Sequence, residues 1–140
     1  MDQESIVYGC IKDSANFATE TERRRANRKV MLTLPSADEW PYLCREMFAI
    51  PRLQVGHDNY HTQVMHFGAS YKAIEYEWNR WMEKFEELLS RMYWVSAVVH
   101  LETELAGTHT FTWEASSTGH QPGGGINRAH CEWSHENTFL

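Results

Sequence analysis

The chain is poor in the residues that staple or punctuate small folds: three cysteines and four prolines in 140 residues. Cys10, Cys44 and Cys131 are odd in number and show no CxxC spacing, which excludes a zinc ribbon and argues against a disulfide framework. A reducing cytoplasm is the expected compartment. No apolar run approaches the 18 residues a membrane helix needs, and MDQESIVYG has no basic-then-apolar leader pattern. Positive charge is also scarce, with 13 Lys and Arg against 19 Asp and Glu and a formal charge of -6. That balance disfavours a general nucleic-acid or anionic-membrane binder and suits a cationic protein partner.

Nucleophile and nucleotide signatures are missing as well. There is no GxSxG, no local motif marks a cysteine as activated, and Cys10 reads as a core residue. Gly123, Gly124 and Gly125 lack both the preceding strand and the following Lys-Ser/Thr of a phosphate loop. What the chain has in quantity is aromatic surface, with six each of Trp, Tyr and Phe, enough for one domain with its own core.

Residues 5–11 are β-prone and apolar on both alternating faces, which predicts a central strand covered on both sides. Residues 19–34 read as a helix with acids in its first turn, ended by Pro35. Its run Arg23, Arg24, Arg25, Arg28 and Lys29 reads as one solvated face, with phosphate contact the less favoured use. Ser36 and Glu39 have capping-box spacing ahead of Trp40, Leu43, Cys44, Met47 and Phe48, predicting a second short helix. A loop over 51–59 then leads to a strand over 62–69.

The clearest pattern follows. Ile74, Trp78, Trp81, Met82, Phe85, Leu88, Leu89 and Met92 recur at steps of three and four, predicting one long amphipathic helix over 71–93. Its solvated face carries Glu83, Glu86 and Glu87 among other charges. From 94 to 105 the chain alternates, Val99, Leu101, Thr103 and Leu105 against Val98, His100, Glu102 and Glu104, and pairs through Ala106-Gly107 with a strand over 108–113. The expected architecture is α+β: a mostly antiparallel four-stranded sheet packed by the long helix and two shorter N-terminal helices. Residues 1–115 form the domain, and the Gly-rich 116–140 reads as linker and C-terminal tail, with Trp133, Phe139 and Leu140 available to tie its end down.

Two sets of residues could carry chemistry. His100, Glu102 and Glu104 project from one strand face, where a His beside carboxylates can act as general acid or base; the plainer reading is the wet side of an antiparallel strand. His57 with His61, and His130 with Cys131 and His135, have spacings that a metal could use, but neither set matches a complete site, and no cofactor is indicated. The third use of the acids is a surface for a basic partner: Glu83, Glu86, Glu87, Glu102 and Glu104.

In size, acidity, lack of export signal and the Trp-rich stretch HFGASYKAIEYEWNRWMEKFEELLSRMYWVSAVVHLETEL, residues 66–105, the chain resembles the small acidic immunity proteins of bacterial polymorphic toxin systems. The resemblance implies tight binding of a toxin domain in the cytoplasm, inhibition by occlusion, and no catalysis. Immunity proteins share no single functional pattern, so the resemblance assigns no role by position.

Overall fold

The computed structural model describes residues 4–14, 20–35, 40–49, 62–104, 106–116, 119–126 and 129–134. Within them run β1 (Glu4–Ser14), α1 (Glu20–Leu32), β2 (Thr62–Lys72), α2 (Trp78–Ser90), β3 (Ser96–Thr103), β4 (Gly107–Glu114) and β5 (His130–Ser134). The class is α+β, and the strands form one antiparallel sheet of five in the order β2-β1-β3-β4-β5. No helix among the described residues is long and apolar enough to cross a membrane.

Burial is one-sided. Along β1, Ser5, Val7, Ile11 and Asp13 are buried, whereas Ile6 and Tyr8 on the alternate face remain 39% and 38% exposed. The expectation of a strand covered on both faces is therefore corrected: apolar residues at every position read as two cores, but the helices supply cover for one. Cys10 goes with the other face and is half-buried, not a core residue. Gly9 marks the tightest point on β1, since a Cβ there would sit 2.0 Å from the Val98 carbonyl oxygen.

The covering layer is α2, whose Trp81, Phe85, Leu88 and Leu89 are buried as the apolar stripe requires. The helix is shorter than its sequence suggests. Tyr71 and Lys72 complete β2, Ala73 turns the chain at a φ of 54°, and Ile74–Glu77 form a 3-10 turn before α2 begins. Tyr71 belongs to the strand because Met65, Phe67 and Tyr71 share its buried face. Its hydroxyl also donates to the Tyr42 carbonyl at 2.6 Å and accepts from the Trp81 indole at 3.0 Å.

The second predicted helix is absent from the described part of its span. Residues 36–39, with the proposed cap, lie outside the described residues, and 40–49 hold a 3-10 turn, Arg45–Met47, after a cis Trp40-Pro41 bond. Pro41 provides no N–H and disfavours helical backbone at Trp40. Leu43 and Phe48 reach the core from this irregular segment.

At the other end of the covered face, α1 docks through polar contacts as well as buried Met31. Arg23 is only 3% exposed; its guanidinium donates to Asp13 at 2.9 and 2.5 Å and lies 4.6 Å from the Tyr93 ring centroid. The basic run is thus not one solvated face, because its first member faces inward. Asn27 closes a reciprocal clamp on Tyr93, donating to its carbonyl and accepting from its N–H, both at 2.8 Å.

In the stretch expected to be linker and tail, the described residues 119–126 and 129–134 are tied to the body. Trp94 and His120 exchange main-chain bonds at 3.3 and 2.7 Å, and the Gly123 N–H donates to Ser90 O at 2.8 Å. The His120 ring stacks on Trp94 at 4.9 Å, with its nitrogens 2.8 and 3.0 Å from the carbonyl oxygens of Met92 and Gly124. Beyond it β5 adds the fifth strand, from Thr108↔Ser134 to Thr112↔His130.

The buried ion pair generates a stability prediction. Asp13→Asn leaves the Arg23 charge buried beside a neutral partner, and urea unfolding should show a loss of about 3 kcal/mol. Replacing both charges, Asp13→Leu with Arg23→Met, should recover most of that loss, because it removes the desolvation penalty together with the attraction.

Candidate functional site

The sheet's second face is the candidate site, built by the period-two alternation that buries the first. Register places its side chains in cross-strand rows. One row runs Gly68, Tyr8, His100, Thr110, Glu132; the rows flanking it run His66, Cys10, Val98, Thr112, His130 and Ser70, Ile6, Glu102, Thr108.

At the centre, the Tyr8 and His100 rings lie 4.8 Å apart at 33°, and His100 Nδ1 is 2.9 Å from the Thr110 hydroxyl oxygen. The imidazole is therefore held from both sides, by β1 and by β4. Glu102 is exposed one row away, opposite Ile6 and diagonal to Tyr8. On the β2 side, Gly68 offers no side chain beside the Tyr8 ring. A structural cleft of about 270 Å³ lies elsewhere, lined by Glu75 through Arg80 and by no residue of this face.

The sequence-selected residues divide between two sides of the molecule. His100 and Glu102 share the open face; Glu104 stands exposed just past β3, its carboxylate accepting from the Glu4 N–H at 3.3 Å. Glu83 and Glu87 are exposed on α2, which packs on the covered face, so they point away from Glu102. Glu87 lies 3.5 Å from Arg91. Glu86 is half-buried and accepts from the Trp113 indole at 2.9 Å, a bond that fixes the core rather than offering a contact.

Of the proposed metal ligands, His130 and Cys131 lie among the described residues. His57, His61 and His135 lie outside the described residues. His130 and Cys131 are neighbours on an exposed strand, so their side chains leave on opposite faces, and His130 instead lies 3.5 Å from Glu132. Among the described residues no group of three or more His, Cys, Asp and Glu could hold a metal ion.

Tyr8 and Thr110, which hold the histidine, escaped the sequence reading. Their signal was present in the alternation of Ile6, Tyr8, Cys10 and of the β4 threonines, but it becomes a site only when register joins the strands. Chemically the face offers an aromatic centre, a fixed imidazole, a carboxylate and a column of hydroxyls. Such an array can stack against and hydrogen-bond with a bound group.

The cluster has a titration signature. Burial first, and then the Glu102 charge, push the Tyr8 phenol above its ordinary value of 10.0. A raised value favours the protonated phenol in the folded protein, so its stabilising contribution is complete below the unfolded value and is lost as pH rises through the folded one. Tyrosine-selective carbon NMR should show Tyr8 ionising above the reference. Glu102→Gln should lower that midpoint without abolishing the shift, because burial is the larger cause; an unchanged midpoint would separate Tyr8 from Glu102.

Comparisons with protein-family models, with curated protein sequences and with solved structures each give no match.

Proposed function

We propose that this chain is an acidic binding protein of the cytoplasm that neutralises a basic partner, a toxin domain in the reading the sequence suggests, by laying the open face of its sheet over that partner's working surface. The observation that carries this reading is the composition of the face. Half-exposed Ile6 and Tyr8 lie at its centre, and Glu4, Glu102, Glu104, Glu114 and Glu132 surround them against Lys12 and Lys72. An aromatic anchor inside a charged rim is the anatomy of a protein interface, and the acidic excess steers a cationic partner toward it. The absence of disulfides among Cys10, Cys44 and Cys131 supports a reducing compartment.

The two acidic surfaces supply the test. Immobilised protein is used to capture its partner from the source cells, and binding is then measured with the purified pair. Glu102→Lys with Glu104→Lys should weaken binding by about tenfold or more and reduce its salt dependence. Tyr8→Ala should cost about 2 kcal/mol, or about thirtyfold. Glu83→Lys with Glu87→Lys, on the far side of the molecule, should leave affinity unchanged. Loss of binding in the helix variant alone would move the interface to α2. A captured partner that is not basic, or whose toxicity in a bacterial host is unaffected by co-expression, would overturn the neutralising role.

A further inference from the structure

The sheet has two edges, and the chain treats them differently. On the β2 edge, Phe48 bridges to Phe67 and the Ala49 N–H donates to His66 O at 2.8 Å, so part of that edge is occupied by the chain itself. On the β5 edge, His130, Cys131, Glu132 and Trp133 are all exposed, with His130 and Glu132 side chains 73% and 77% accessible. Consecutive exposed residues mean that neither face of this strand is covered. An edge strand of this kind is a template for another strand.

We propose that β5 pairs antiparallel with β5 of a second copy of this chain, joining two five-stranded sheets into one of ten. The occupant is argued from the match of hydrogen-bond donors and acceptors. A two-fold axis perpendicular to the sheet keeps each open face on the same side, and residues opposed across the junction must share a face, so the axis passes through a residue position. Centred on Cys131, it sets His130 opposite Glu132 of the second copy, and Glu132 opposite its His130, so the pairing is complementary twice. Centred on Glu132, it would oppose two carboxylates, an arrangement that costs energy. The sequence His-Cys-Glu is therefore self-complementary in one register. In that register the two Cys131 side chains meet at the axis, and Trp133 lies opposite Ala129 of the second copy. The Trp133 indole N–H is held by the Ala106 carbonyl, which orients the ring before pairing. The inference does not depend on the identity of the partner proposed above; dimerisation would set two open faces side by side.

Edges of five residues bury little area, so the association is concentration-dependent. Sedimentation velocity under reducing conditions, from about 10 µM to about 1 mM, should show a monomer–dimer equilibrium. Glu132→Lys sets lysine against the histidine of the other copy and should weaken the dimer by about tenfold or more. The exchanged pair, His130→Glu with Glu132→Lys, should restore it, a rescue that general loss of solubility or folding would not give. With copper-phenanthroline added as oxidant, the two Cys131 thiols should lose two protons and two electrons to form one intermolecular disulfide, located by peptide mass spectrometry. A chain that stays monomeric at the top concentration, or a dimer indifferent to both charge variants and not cross-linked through Cys131, would overturn the proposal.

Discussion

The aromatic layer between α2 and the sheet determines where everything else in the molecule can go. Trp78 stacks on Trp81 at 4.9 Å and 5°, Trp81 on Phe85 at 5.3 Å and 12°, and Phe85 meets Phe67 and Trp113 from the strands. Each such pair adds about 0.5–1.5 kcal/mol beyond its area. More consequential is the volume these rings occupy. One helix bearing them fills one side of the sheet, and its Trp113 contact through Glu86 closes that side with a hydrogen bond. The other face is left with half-exposed side chains because the helical cover is spent on the first.

That asymmetry reorganises the charge. A net -6 suggests an acidic molecule in general, yet the acids separate into an α2 set and a set on the sheet, with the sheet's hydrophobic thickness between them. The basic run on α1 is divided too: Arg23 turns inward to Asp13 and Tyr93, while Arg25 and Lys29 stay exposed. A partner approaching either side therefore meets a local field rather than the bulk charge, since exposed charges more than about 10 Å apart are screened at cellular salt.

Periodicity was legible where an element is long and has one wet side. The stripe from Trp81 to Leu89 and the alternation of Val99, Leu101 and Thr103 both survive in the structure, and so does the facing of His100 with Glu102. The helix start was lost because Tyr71 and Ile74 satisfy a helical spacing while Tyr71 also satisfies a strand's, and long-range packing chose the strand. The fifth strand was hidden by glycine. Its approach is held by main-chain bonds and by His120 wedged against Trp94, contacts between positions far apart in sequence that no local pattern announces. The same holds for the site: Tyr8 and Thr110 become neighbours of His100 only through cross-strand register, a non-local property.

An uncovered sheet face has to avoid being a general adhesive, and the details of this one show how it stays selective. Its apolar residues are Ile6, Tyr8, Cys10 and Val98 on β1 and β3 with Val64 on β2, while β4 offers threonines and β5 offers His130 and Glu132. Each hydroxyl and carboxylate must give up water to be covered, and the cost is recovered only by a partner with matching donors. Tyr8 is poised between these demands. Its ring lies against His100, which orders the side chain in the free protein and, in the proposed binding role, reduces the entropy lost on association. A face arranged in this way resists nonspecific apolar contact, and the proposed cationic partner would have to match its donors and acceptors.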